Sequence, residues 1–306
     1  MVETEKRKTF SGWSKKAKDR AFILAMLAIP VLHFAIFYVY INFNSILMAF
    51  QTQLEGKIQW GFQHFERMFT EFGLGDSILS QAFINTLTFW FTSMLVILPI
   101  SFVLCYFLYK KVTMYRIYRV IFYLPSIIPS SVTAILFKYM IAGNGPIAEI
   151  FMSMTGTELP TLLTDSTYAM KTLLFYNVFF GLGTNMVLFS GAMSNIDSSI
   201  IEAVQIDGAN MFVEMTQLVI PMMWPTLSTV MIFDFVGLFN ASGPILLLTK
   251  GAYNTYTISY WIYDRVLFGG TYNYPAAVGL FFTLIGAPIA LFMRWLLNHG
   301  VDDITM

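Results

Sequence analysis

SIIEAVQIDGANMFVEMTQLVIP, residues 199–221, is a short polar stretch between two long apolar runs. It contains glutamate and aspartate but neither lysine nor arginine. Anionic lipid headgroups attract lysine and arginine, so they are not expected to hold this stretch. A protein partner with a basic rim suits it better, and we therefore expect residues 199–221 to dock on another protein.

The local sequence predicts a short helix, a bend and a second helix. Ser199 and Glu202 have the spacing of a capping box, in which the two side chains satisfy backbone N–H groups at a helix start. Gly208 suits the left-handed backbone that ends many helices. Asn210 can cap a second helix that continues through Pro221 into an apolar run. A lever of this shape would pass a push on the short helix to the following span.

The composition of the chain predicts an all-α polytopic membrane protein. Of its 306 residues, 57% are hydrophobic and 12% are charged, whereas a soluble domain carries about 25% charged residues. Apolar runs of about 20 residues are long enough to cross a bilayer core of about 30 Å. The alternating segments of about ten residues that mark a membrane β-barrel do not occur in this sequence.

Six apolar runs predict six transmembrane helices in one domain, residues 1–306. The predicted spans are 21–50, 84–109, 120–141, 171–193, 218–247 and 275–297. A basic tail occupies residues 1–20, and the first span with an external segment occupies 21–79. The five remaining spans occupy 80–298 and include the polar loop at 195–221. A second tail occupies 299–306.

Two features refine this division. Pro125 and Pro129 are expected to kink the third span, because proline removes a backbone donor from the helix. Aromatic residues and Met68 recur at helical spacing between Trp60 and Phe72. Their pattern predicts a short helix that lies in the membrane interface.

The distribution of basic residues predicts that both termini are cytoplasmic. Short loops rich in lysine and arginine stay on the cytoplasmic side. Seven basic residues precede the first span and four lie between residues 110 and 119. The first opposite-side loop holds Lys57 and Arg67, and the second holds none. Residues 199–221 therefore face the cytoplasm as well.

Several functional classes are disfavoured by the sequence. The formal net charge is zero, so no basic surface for nucleic acid is expected. No phosphate-binding loop, zinc-protease motif or nucleophile elbow occurs. His33, His64 and His299 have no metal-ligand spacing, and Cys105 is interpreted as a small buried hydrophobic residue. We expect no catalytic residue and no metal on this chain.

The stretch resembles the signature loop of ABC importer permeases, whose pattern is E-A-A, three residues, G, nine residues, I-x-L-P. Glu202, Ala203, Gly208 and Pro221 match that pattern in type and spacing. The departures exchange one apolar residue for another and are Val204, Leu218 and Ile220. The sequence IDGA, residues 206–209, is similar to the carbohydrate branch of the family.

The resemblance extends over nearly the whole chain. Further matching segments are Asn85-Thr86, Leu124-Pro125, Ile128-Pro129, Leu248-Thr249-Lys250-Gly251 and Tyr274-Pro275-Ala276-Ala277. The segment at 248–251 resembles the first, maltose-type member of a permease pair. Here it reads L-T-K-G-A-Y, whereas the more usual form is L-T-G-G-x-P.

The resemblance implies the architecture of a type I ABC importer permease in the cytoplasmic membrane of a prokaryote. Its partners would be a second permease subunit, two ATP-binding cassette subunits and an extracytoplasmic solute-binding protein. ATP and magnesium would bind to the partner ATPase, so no cofactor is expected on this chain. In the coupling loop, Glu202 would pair with a basic group of the ATPase, Ala203 would let the helix seat deeply, and Gly208 would supply the bend. Asp207, Ala209 and Pro221 complete the predicted coupling residues.

Polar groups within the spans are candidates for substrate binding, because a polar group in the membrane is costly. Sugars bind through hydrogen bonds and aromatic faces. The candidates on the fourth span are Asn177, Phe180, Gly181, Thr184 and Asn185, and those on the fifth are Ser228, Asp234 and Asn240. The alternative is hydrogen bonding between helices, worth about 0.6 kcal/mol. For Asp234, an ion pair with Lys138 is a further alternative.

We therefore predict a permease that carries a carbohydrate, an oligosaccharide in particular, and that is not itself an enzyme. One alternative is a permease of the same class for a polyol or a glycerol phosphate ester. The other is an ion-coupled secondary transporter. That class predicts inverted repeats and several intramembrane acids, whereas this sequence has one deep acid, Asp234.

Overall fold

A computed structural model describes residues 15–54, 57–75, 77–238 and 243–298 of the chain. The helices are α1 Lys15–Ala49, α2 Gln63–Gly73, α3 Ile78–Tyr109, α4 Tyr115–Ile127, α5 Ser130–Met140, α6 Pro146–Thr155, α7 Ala169–Met193, α8 Ser198–Ile206, α9 Met211–Gly237, α10 Gly243–Leu248, α11 Ile258–Leu267 and α12 Asn273–Asn298. Strands β1 Gln51–Leu54 and β2 Lys57–Trp60 form an antiparallel hairpin in which Gln51 pairs with Trp60. The prediction of a mainly helical protein is confirmed.

Five of the described helices are long and apolar enough to cross a bilayer: α1, α3, α7, α9 and α12. The predicted first, second, fourth and sixth spans correspond to α1, α3, α7 and α12. The fifth was predicted to reach residue 247, but α9 ends at Gly237 and a separate short helix, α10, follows residues 239–242, which lie outside the described part.

The third predicted span, 120–141, is not one continuous helix. It consists of α4 and α5, which meet at an angle of 106°. Ile128 between them is extended, with φ −77° and ψ 135°. A residue that precedes proline is driven out of the helical region, and Pro129 has no N–H to continue the ladder. The predicted kink is therefore a full break at Pro129, while Pro125 stays within α4.

The segments that connect the spans hold more structure than the sequence predicted. The short helix predicted between Trp60 and Phe72 is present as α2, although it begins at Gln63 and Trp60 belongs to a strand. The helices α6 and α11 and the β-hairpin lie in regions that were predicted to be loops.

The core helices pack closely. A Cβ at Gly183 on α7 would lie 2.9 Å from the Phe122 carbonyl oxygen of α4, so a small residue permits this approach.

The first helix stands apart from this packing. Among its described residues Ala49 alone is buried, and α1 contacts α12 through residues 41–49. The other spans bury three apolar clusters. The cluster nearest the polar loop joins α3, α7 and α9 and includes Phe102, Phe189 and Met223.

Candidate functional site

The short helix of the polar loop is α8, and its N-cap is Asp197. The Asp197 side chain accepts a hydrogen bond from the Ser199 N–H at 2.9 Å. The predicted capping box of Ser199 and Glu202 is therefore wrong, because an aspartate two positions earlier takes the capping role. The same bond from the Ser199 N–H holds the pKa of Asp197 below its usual range.

The bend after α8 is the one predicted at Gly208. Gly208 has φ +82°, its N–H donates to the Gln205 carbonyl at 3.1 Å, and the Ala209 N–H donates to the Val204 carbonyl at 3.2 Å. These two bonds form a Schellman motif, in which a left-handed residue satisfies the last carbonyls of the helix. This backbone geometry sets the direction in which the chain leaves α8.

The second helix of the loop continues into a span, as predicted. Asn210 caps it, since its Oδ1 accepts from the Val213 N–H at 2.9 Å. The helix α9 then runs to Gly237, with a π-helical turn over residues 214–219. Pro221 lies just after this turn, where a missing N–H is tolerated. The short helix, the bend and the span therefore form one lever.

One face of the lever is open and partly apolar. Glu202, Ala203 and Asp207 are exposed, and the side chains of Ile206 and Phe212 are 85% and 69% exposed. Ile201, on the opposite face of α8, is buried against the core. Exposed apolar residues in a group mark an interaction surface. The lever thus has an inner face that packs on its own chain and an outer face that is free for a partner.

The inner side of the lever holds a buried ion pair that the sequence analysis missed. Glu214 of α9 is 2% exposed and lies 2.9 Å from Lys110 Nζ at the end of α3. Tyr106 donates to the same carboxylate at 3.0 Å, and Gln205 donates to it at 3.1 Å. We call these four residues the Glu214 cluster. Lys110 and Glu214 are 104 positions apart, so no local pattern could pair them.

The structure brings two of the substrate candidates together. Asn177 of α7 and Asp234 of α9 line one cavity of about 150 Å³. The other lining residues are Thr86, Phe89, Trp90, Ser93, Phe233, Gly237 and Leu238. The helix α3 contributes Trp90 and Ser93, which sequence reasoning missed. The sequence signal that could have identified them is the presence of a tryptophan and a serine within an apolar run.

Two polar atoms in this cavity are buried without a hydrogen-bond partner among the described residues. They are Asp234 Oδ2 and Trp90 Nε1. The alternative of an ion pair between Asp234 and Lys138 is wrong for the described part of the chain, whose salt bridges are Arg67–Glu71 and Lys110–Glu214. Buried polar atoms are usually hydrogen-bonded, so two unpartnered ones on residues that line one cavity make it a candidate polar site.

The remaining candidates do not line this cavity. Phe180 stacks against Tyr176, with ring centroids 4.5 Å apart, and a Cβ at Gly181 would lie 3.3 Å from Ile97 Cδ1. Ser228 is buried, and its hydroxyl donates to the Pro225 carbonyl of its own helix at 3.1 Å. Thr184 is exposed and Asn185 is half-buried. Asn240 lies outside the described residues.

The fold and the lever define a helical membrane component of a transport system. The chain belongs to the family of binding-protein-dependent transport system inner membrane components, which it matches over residues 97–301. The match begins within α3 and includes the whole lever. It covers the loop and the part of the cavity formed by α7 and α9, whereas the cavity residues of α3 precede it.

Two of the relatives that the chain matches are named as sugar permeases. The chain is 28% identical over 256 residues to the maltose/maltodextrin transport system permease protein MalF of Vibrio vulnificus strain YJ016, which covers 78% of this chain and 48% of the relative. It thus spans about half the length of that protein. It is 22% identical to the arabinooligosaccharides transport system permease protein AraP of Bacillus subtilis strain 168, with 92% of this chain and 90% of AraP covered.

A solved structure has the same fold. A bacterial ABC transporter involved in the import of the acidic polysaccharide alginate contains a chain that superposes with a TM-score of 0.82. The two chains are 23% identical, and the superposition covers 94% of this chain and 99% of the other. At this identity the likeness establishes the fold of an ABC transporter permease and leaves the substrate to other arguments.

Proposed function

We propose that this chain is a permease subunit of a binding-protein-dependent ABC importer and that it carries a carbohydrate, an oligosaccharide in particular. The lever carries this proposal. Its outer face presents Glu202, Ala203 and Ile206 to a partner, and the bend at Gly208 joins α8 directly to α9, the helix that carries Asp234. A push on α8 would reach the cavity at Asp234 through a single helix.

The proposed assembly contains a second permease subunit, two ATP-binding cassette subunits and an extracytoplasmic solute-binding protein. The docking surface of the lever supports the ATPase partner, because an exposed apolar face is costly without a cover. ATP and magnesium would bind on that partner. Glu202 would meet a basic group there, and the small Ala203 would allow close approach. The assembly would lie in the cytoplasmic membrane of a prokaryote.

The cavity supports a substrate rich in hydroxyl groups. Asn177 offers both a donor and an acceptor, Asp234 offers acceptors and Trp90 offers a donor and an aromatic face. The binding of a sugar depends on hydrogen-bond donors, hydrogen-bond acceptors and an aromatic face. The sugars for which MalF and AraP are named agree with this chemistry.

The division of labour predicts that the purified chain does not hydrolyse ATP by itself. Purified from its native membrane in mild detergent, it should instead carry ATP-binding subunits with it, and this complex should hydrolyse ATP. Reconstituted in vesicles with the solute-binding protein, the complex should take up the sugar only when ATP is present at the nucleotide-binding face. Uptake driven by an ion gradient without ATP would contradict the proposal and favour a secondary transporter.

Asn177→Ala should weaken transport of the sugar. The loss of one hydrogen bond of about 0.5–1.5 kcal/mol corresponds to a rise in KM of roughly 2- to 12-fold. Asn185→Ala is the matched control, since Asn185 lies on the same helix but outside the cavity. Initial uptake rates at several sugar concentrations measure both. Equal KM values for the two variants would remove Asn177 from the site.

A further inference from the structure

The Glu214 cluster fills the inner corner of the lever. Both oxygens of the Glu214 carboxylate are used. Oε1 accepts from Tyr106 and Lys110 at 3.0 and 2.9 Å, and Oε2 accepts from Lys110 and Gln205 at 2.9 and 3.1 Å. The Lys110 ammonium balances the carboxylate charge, which allows the pair to be buried. No oxygen of this carboxylate is left for an external partner.

The cluster joins three parts of the fold that are separate in the chain. Tyr106 and Lys110 lie at the end of α3, Gln205 lies in the last turn of α8, and Glu214 lies in the first turns of α9. The Schellman bend at Gly208 stands between Gln205 and Glu214. The bond between these two side chains therefore closes the bend from the inside, across nine positions.

A bend held only by backbone dihedrals can open and close. If the bend opened and closed in this way, a displacement of α8 would partly change the angle at the bend instead of moving α9. Glu214 is also the first residue of the π-helical turn at 214–219. Such turns interrupt the regular ladder and are frequent at functional sites. The cluster therefore holds the lever at the π-helical turn, where the backbone hydrogen bonds are least regular.

We propose that the Glu214 cluster locks α8, the end of α3 and the start of α9 into one rigid body, so that a displacement of α8 moves two spans together. This inference rests on the proposed function, because it concerns how the ATPase stroke is transmitted. Buried ion pairs contribute specificity in some proteins rather than net stability. In this chain the buried pair would specify one conformation, in which the angle between α8 and α9 is fixed. Gln205, Tyr106 and Lys110 are thus positioning residues that act through Glu214.

The test uses the assembled transporter with its ATPase subunits and binding protein. Gln205→Met removes one donor from an exposed residue, keeps the side-chain length, and leaves the Lys110–Glu214 pair intact. Substitutions in a coupling element change coupling by about 2- to 30-fold. We therefore expect ATPase association to persist and the amount of sugar transported per ATP hydrolysed to fall by about 2- to 30-fold. Gln217→Met is the matched control, since Gln217 is an exposed glutamine of α9 that lies outside the cluster.

Tyr106→Phe provides a second variant, which loosens the same carboxylate from the α3 side by removing one hydroxyl. It should also lower the amount of sugar transported per ATP hydrolysed.

Spin labels at Ser198→Cys and Thr113→Cys report the distance between α8 and the segment after α3. The native Cys105 is 1% exposed and does not compete for the label. In the native background the distance should be the same with and without ATP, whereas in Gln205→Met it should change with ATP.

The outcomes separate the two proposals. A native ratio of sugar to ATP in both Gln205→Met and Tyr106→Phe would overturn the rigid-body proposal, and so would an ATP-dependent label distance in the native background. Neither result would affect the proposed function. A native chain that binds no ATPase subunit would overturn the proposed function instead, before any variant is compared.

Discussion

Gly208→Val should abolish sugar uptake while the chain still reaches the membrane. Gly208 has φ +82°, where an ordinary L-residue costs about 1–2 kcal/mol and a β-branched residue is strongly disfavoured. No neighbouring atom lies within 4 Å of a Cβ built at this position. The cost is therefore conformational, and it is relieved only by changing the backbone at the bend. The direction of α8 relative to α9 then changes, and the ATPase stroke is misdirected.

Gly156→Val is the matched control for this substitution. Gly156 ends α6 with φ +71°, and a Cβ there also meets open space. It lies at the opposite end of α7 from the lever, so it carries the same conformational cost at a different place. Uptake by reconstituted complexes, normalised to the chain present by immunoblot, measures both variants. Equal losses of uptake in the two variants, or normal uptake in Gly208→Val, would contradict the role of the bend.

Lys110→Met should destabilise the folded chain severely. It leaves the Glu214 carboxylate 2% exposed and without its cation, and breaking a buried pair in this way costs about 3–5 kcal/mol. Folded proteins are stable by only about 5–15 kcal/mol. We expect a clear fall in the yield of monodisperse protein and in its apparent unfolding temperature, both measured in detergent.

Arg67→Met is the control that removes a cation from an exposed pair, together with its contact to the Tyr274 ring. It breaks the pair with Glu71, but the Arg67 side chain is 63% exposed, and such pairs contribute about 0–1 kcal/mol. Lys110→Met combined with Glu214→Leu removes both charges and should recover much of the lost stability, because no lone charge remains. If Lys110→Met is no worse than Arg67→Met, the buried pair does not support the fold.

Much of the fold follows from local physical rules that a sequence displays. The lengths of apolar runs predicted α1, α3, α7 and α12, and the conformational freedom of Gly208 predicted the bend. The N-cap of α8 was placed two residues too late, because Asp197 and Ser199 are both good acceptors. The backbone conformation decides between them. The proline at 129 predicted a kink, but the size of the break depends on Ile128 adopting an extended conformation.

The sites show where sequence reasoning stops. Helical spacing placed Asn177, Gly181, Thr184 and Asn185 on one face of α7, yet spacing defines a face of the helix and not how deeply each residue lies. Asn177 and Asp234 meet because α7 and α9 pack on each other, and Trp90 joins them from α3. The Lys110–Glu214 pair is likewise a product of tertiary packing. Both require knowledge of which helices are neighbours.

The break between α4 and α5 also affects how lipid surrounds the chain. The helix α4 is about 20 Å long at 1.5 Å per residue, which is shorter than a bilayer core of about 30 Å. Interrupted backbone at membrane depth is stable only against protein or water. In a bilayer that α4 entered from one end, the break beside the 76% exposed Ile127 would therefore have to lie against another protein chain or water.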